Sequence, residues 1–110
     1  MPATDGQTYA PRRRLLIRDL PPGDRPRQRL AAAGPEALSA SELLAILLNT
    51  PDALALAQEM LAQAGDLQTL SRLPIPELRH WRGIGPVRAL RLQAAFALGR
   101  RLLETPADDL

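Results

Sequence analysis

The chain contains no cysteine and no lysine, and only one residue each of histidine, tryptophan, tyrosine and phenylalanine. Without cysteine there can be no disulfides, zinc fingers or thiol nucleophiles, and the composition fits a reducing compartment. The single histidine, His80, would leave zinc to an all-carboxylate site, which zinc does not favour; no metal is expected. Aromatics are 3% of the residues, so the core must be leucine, with alanine allowing close helix contacts. Val, Ile, Thr, Tyr and Phe are scarce, which leaves little to build strands from. No apolar run approaches a membrane span. The N-terminus lacks the basic-then-apolar order of a signal peptide, so a cytoplasmic protein with no membrane contact is expected. The carboxylates are scattered, and there is no Ser–His–Asp set, P-loop or G-x-G-x-x-G. The expectation is a chain that is not an enzyme and uses no cofactor.

What is present is helical. Alanine, leucine, arginine, glutamine and glutamate dominate, all strong helix formers. At 110 residues the chain is one domain, and we expect an all-α, compact bundle of about five to six helices. All 14 basic residues are arginine, the net charge is +2, and the pI is about 10.4. Arginine is a planar fork suited to phosphate oxygens; a GC-rich genome accounts for the preference equally well. With so small a net charge, nucleic-acid binding must come from local clustering.

Residues 1–23 read as a flexible basic arm punctuated by prolines and glycines, with Arg12, Arg13, Arg14 and Arg18. It is either solvated or touches phosphate, and "LLI" at 15–17 could pack back onto the domain. Residues 24–105 form the domain and 106–110 a tail. Asp24 is the expected cap of the first helix, which stops at Gly34. "SASE" at 39–42 is a capping box opening a helix to about Leu48, with Leu38 and Leu43 at staple spacing. Thr50-Pro51 opens a third helix ending at Gly65. Asp66 caps a short fourth. Pro76 opens a brief fifth, and Pro86 opens the longest, ending near Thr105-Pro106.

Residues 42–61 echo 77–96 at an offset of 35. Glu42 matches Glu77, Leu43 matches Leu78, Pro51 matches Pro86 and Gln58 matches Gln93. Both prolines stand at the expected opening of a helix, so the pattern predicts two helix–turn–helix units related by a pseudo-twofold. The turns differ: "LNT" in the first, "GIG" in the second.

In that second turn, Gly83 and Gly85 can take positive φ and allow a tight hairpin. Ile84 can point inward and pin it. Pro86 pre-sets the helix, and the free amides near Gly85, Val87 and Arg88 make an anion site at a helix N-terminus. Arg82 and Arg88 flank it as the best phosphate contacts. The candidate DNA-phosphate site is therefore Arg82, Gly83, Ile84, Gly85, Val87 and Arg88. This is the pattern of a helix–hairpin–helix motif, intact in the second unit and degenerate in the first; alternatively G-I-G merely makes a sharp turn. Of the neighbours, Trp81 is a core residue or a stacking platform, and His80 is a surface or helix-end residue. Arg79 and Arg91 add to the cluster around the turn, though Arg91 could pair with an acid. Arg100 and Arg101 suit their helix's C-terminal dipole.

"RPRQRLAAAGPEALSASELLAILLNT" together with "LRHWRGIGPVRALRLQAAFALGRRLLE" resembles the N-terminal domain of the RadC family, also grouped as UPF0758. The resemblance covers about residues 18–104. It implies a helix–hairpin–helix domain that binds double-stranded or branched DNA through its backbone, without sequence specificity and in a repair or recombination setting. Two departures stand out. The family continues after "LL" with a threonine–glycine loop, which Asn49-Thr50-Pro51 cuts short here. The family's second half resembles JAB/MPN metalloproteases, and this chain is expected to lack it. The competing readings are a helical protein-interaction or regulatory domain that has lost DNA binding, and a targeting half of a metalloenzyme encoded elsewhere.

Overall fold

A computed structural model describes residues 14–104. Six α-helices run in the order α1 (Pro26–Ala33), α2 (Ala40–Leu48), α3 (Ala53–Ala64), α4 (Leu67–Leu70), α5 (Ile75–Leu78) and α6 (Pro86–Glu104). Short 3₁₀ turns precede α1 and join it to α2, and the described residues contain no strand. The chain is all-α, as its composition demands.

The core is leucine and alanine, with one methionine and one isoleucine. Leu48, Leu56, Met60, Leu70, Leu78 and Leu92, drawn from α2 through α6, are the largest fully buried side chains. Ala53, Ala57 and Ala89 are buried beside them, and their small size lets the helices approach closely. The two aromatics among the described residues only edge this core: Trp81 and Phe96 pack against it half-buried. α2 packs along α3, α5 against α6, and α2 also meets α6, so the two helical hairpins share one core.

Local chemistry sets most helix ends. Ser39 Oγ accepts from the Glu42 amide (3.1 Å), and Glu42 Oε1 accepts from the Ser39 amide (2.9 Å): the capping box forms. Asp66 Oδ1 accepts from the Thr69 amide (2.8 Å) at the start of α4. Gly34 (φ 86°) and Gly65 (φ 101°) end α1 and α3 in backbone that side chains avoid.

Three starts differ from expectation. α1 is capped by Arg25 with Pro26 at its first position, not by Asp24; proline has no amide to lose there. The Arg25 guanidinium instead donates to the Leu20 and Arg18 carbonyls. α3 starts at Ala53 behind Asp52, not at Pro51. The Pro51 carbonyl accepts from the Ile17 amide (2.8 Å), which draws it out of the helical ladder. α5 opens at Ile75, with Pro76 in its first turn.

Residues 14–23, expected in a flexible arm, are tied down. Arg14 pairs with Asp52 (2.7 Å) and Glu59 (2.8 Å), and Ile17 packs against the core. Arg12, Arg13 and the tail 106–110 lie outside the described residues.

Glu42 has two roles. Besides closing the capping box it accepts from Arg29 Nη1 (2.9 Å), whose Nη2 donates to the Ala37 carbonyl (2.9 Å). Glu42→Ala should cost about 1–2 kcal/mol in urea unfolding, since a cap and a partly buried charged hydrogen bond go together. Asp66 gives a pH test. The Thr69 backbone amide, with the Thr69 side chain adding to it, holds its carboxyl below the ordinary range. A lowered folded-state value stabilises above the unfolded value of about 3.9 and is lost as pH falls through the folded one. Asp66→Asn keeps a capping oxygen without titrating. Its stability relative to the parent should rise as acid enters that window; parallel acid-unfolding curves would contradict this.

Candidate functional site

The second hairpin turn is built by three residues with different jobs. Gly83 takes φ 93°, the left-handed region where a Cβ is strained. Ile84 is 3% exposed; it plugs the turn into the core, and its amide donates to the Trp81 carbonyl (3.0 Å). Gly85 caps α6: its carbonyl accepts from the Ala89 amide (3.0 Å).

The sequence allows positive φ at both glycines. Only Gly83 has it; Gly85 does not. A Cβ on Gly85 would meet nothing within 4 Å. What Gly85 contributes is therefore open space in front of α6, rather than an unusual backbone angle.

That space faces free donors. The amides of Gly85, Val87 and Arg88 bond to no other described residue, and Pro86 has none to offer. These are the orphan donors of a helix start, at its positive end. Arg82 is exposed and makes no hydrogen bond or ion pair with another described residue. Arg79 and Arg91, also exposed, are likewise unpaired among the described residues. Arg14 and Arg29, away from this turn, hold ion pairs among the described residues.

Arg88 behaves differently from its sequence reading. It is half-buried, its Nε donates to the Leu48 carbonyl (2.7 Å), and its Nη1 reaches the Gly83 carbonyl (3.4 Å). The guanidinium satisfies a carbonyl at the end of α2 and braces the two hairpins together. Its backbone amide, not its side chain, belongs to the open site. Arg100 likewise turns away from its own helix end and donates to the Ser71 carbonyl (3.1 Å), just past α4. Both tertiary contacts span 29 or more residues, so no local pattern announces them. Trp81 sits half-buried, with Nε1 donating to Gln63 (2.6 Å), and His80 is exposed.

The first hairpin is built otherwise. Its left-handed residue is Asn49 (φ 52°), which the 35-residue echo aligns with Ile84; the turns are thus out of step by one residue. Asp52 occupies the start of α3 and is held there by Arg14 and the Thr50 hydroxyl. A carboxylate already sits where an anion would dock. Core positions in the two units coincide only at Ala57 and Leu92, and α5 is four residues against nine in α2. Among the described residues, no three His, Asp or Glu side chains gather to hold a metal. None of the helices there is long and apolar enough to cross a membrane.

Fold and turn together define a small helical-bundle domain with one open helix N-terminus on a glycine hairpin. The profile of the family described as UPF0758 N-terminal matches residues 17–90, and the chain belongs to the UPF0758 family. It is 43% identical over 97 residues to a UPF0758 protein of Desulforamulus reducens, an overlap of 84% of this chain and 43% of that one. Over 98 residues it is 43% identical to one from Geobacillus thermodenitrificans, covering 86% and 43%. Over 99 residues it is 45% identical to one from Roseiflexus castenholzii, covering 86% and 42%. The chain thus spans less than half the length of these relatives. No solved structure matches it.

The two glycines are expected to part company on substitution. Gly83→Ala forces a side chain into left-handed backbone and should destabilise by about 1 kcal/mol or more. Gly85→Asp supplies a capping side chain in open space and should stay within about 0.5 kcal/mol of the parent. Arg88→Ala should cost about 1–2 kcal/mol by leaving the Leu48 carbonyl unpaired. Urea titration of the three variants checks all of this; equal effects at both glycines would refute the assignment.

Proposed function

We propose that this domain binds the sugar-phosphate backbone of DNA through the second hairpin, without reading bases, as a helix–hairpin–helix module. The observation that carries the reading is the set of unpaired amides at Gly85, Val87 and Arg88, open to solvent at the N-terminus of α6. A phosphate oxygen fits such a place because the donors are already oriented and the helix dipole favours negative charge. Gly85 leaves room for the backbone to approach. Arg82 supplies a charge-assisted contact, and Arg79 and Arg91 raise the local potential. Amides and arginines aimed at phosphate carry no base code, so duplex and branched DNA of any sequence are the expected ligands. The first hairpin acts as support, because Asp52 would repel a phosphate there. The domain contributes binding rather than catalysis and works in the cytoplasm on DNA repair or recombination substrates.

With the Arg88 side chain committed to carbonyls, only two or three phosphates can be neutralised. The log–log salt slope of duplex binding should be about −2 to −3, from roughly 0.9 per phosphate. Arg82→Ala should weaken every sequence alike and lower that slope by about one unit. Gly85→Asp should remove binding while the domain stays folded, because it places a carboxylate in the phosphate position. Arg100→Ala, about 22 Å along the helix from Gly85 at 1.5 Å per residue, serves as the control. Fluorescence anisotropy on two unrelated duplexes and a branched DNA reads these effects. If Gly85→Asp binds like the parent, the phosphate site is not at this hairpin, and the reading of a protein-interaction domain replaces it.

A further inference from the structure

α6 has two apolar faces, and the fold uses one. Ala89 and Leu92 are buried and Phe96 packs on the core. On the opposite side stand Val87, Leu90, Ala94, Leu98 and Leu102. Val87 is 60%, Leu90 59%, Leu98 64% and Leu102 78% exposed, and Ala94 is exposed between them. At 100° per residue these five positions share a face about 120° wide, with Arg91 and Arg101 as the two charged positions within it. A helix with apolar side chains on both sides belongs between two packing partners, and four large exposed apolar side chains on one face exceed the scattered apolar residues of an ordinary surface.

We propose that this face is the interface of a symmetric dimer, in which α6 of one copy crosses α6 of a second copy in antiparallel sense at Ala94. Three features of the row specify a second copy. Leu90, Ala94, Leu98 and Leu102 form an unbroken i±4 ridge, the row that interdigitates in the commonest class of helix packing, at about −50°. The smallest residue of the ridge lies midway between two leucines. A twofold axis through Ala94 therefore brings Leu90 of each copy against Leu98 of the other and lets the backbones approach where they cross. The flanking charge sets the direction: Arg91 lies beside the ridge, and a parallel crossing would place it against its own copy. The antiparallel crossing separates the two Arg91 positions by about 9 Å along the axis, at 1.5 Å per residue.

One helix-on-helix contact falls at the lower end of specific interfaces, below about 1,200 Å² in total. The dimer is accordingly concentration-dependent, in the micromolar range. It needs no DNA, and it stands whether or not the second hairpin binds phosphate.

The test uses the 110-residue chain without DNA. Sedimentation velocity from about 5 to 500 μM should show a monomer giving way to a dimer. Leu98→Glu puts a charge in the centre of the ridge at an exposed position, so it should fold with unchanged circular dichroism and remain monomeric throughout. The native chain has no cysteine, so single cysteines report geometry without background. Ala94→Cys should form a disulfide-linked dimer under mild oxidation. Leu102→Cys should not, because the antiparallel crossing holds the two copies of that position about 24 Å apart at 1.5 Å per residue, far beyond disulfide reach. A parent that stays monomeric at 500 μM, a Leu98→Glu variant that still dimerises, or Leu102→Cys crosslinking as readily as Ala94→Cys would each overturn the proposal.

Discussion

The first turn of α6 is gripped from two sides. Ile84 is buried immediately before it, and Arg88, one turn in, donates to the Leu48 carbonyl at the end of α2. The grip fixes the direction in which the helix N-terminus looks, and it does so with one buried side chain and one half-buried one. A hydrophobic plug alone would leave the turn free to rock. A hydrogen bond from a charged donor to an otherwise orphaned helix-end carbonyl is directional, and so adds orientation to burial. Both hairpins meet at this contact. Loosening it should disturb the seat of α6, the exposure of its amides and the presentation of its outer face together.

A core nearly free of aromatics makes that arrangement necessary. Leucine and alanine fill space through many small contacts, and helices built on Ala53, Ala57 and Ala89 must come close to exclude voids. Close packing leaves little room for polar side chains inside, and no buried charged or polar residue occurs among the described residues. Arginine is therefore displaced to the seams. Arg25, Arg29, Arg88 and Arg100 each donate to a backbone carbonyl near the end of a turn or helix. The remaining arginines near the second hairpin stay exposed, which concentrates positive charge there although the whole chain carries only +2.

The two hairpins illustrate how equal sequence spacing leads to unequal chemistry. The prolines 35 residues apart both lie near the start of a helix, but only Pro86 is inside one. Pro51 spends its carbonyl on Ile17, so α3 begins later, behind Asp52. That carboxylate turns the first helix start into an acidic, ion-paired corner. At the equivalent place the second carries Val87 and stays open.

Much of this was legible in the residues alone. All-α structure, the Ser39–Glu42 capping box, the Asp66 cap, the Gly34 and Gly65 stops, the start of α6 at Pro86 and the inward Ile84 all follow from interactions within four or five residues. The chemistry of a cap or a left-handed glycine is complete at that range. The sequence likewise determined membership of the family, through residues matched from 17 to 90. Tertiary structure alone decided which arginines are free. Arg88 and Arg82 look alike in the sequence, yet one is spent on a carbonyl 40 residues away and the other is exposed. Tertiary structure also decided that Gly85 contributes space instead of positive φ, that Arg14 folds back onto α3, and that one apolar face of α6 is left over. Each of these depends on which partner arrives from a distant part of the chain, and a local pattern holds no record of that distance.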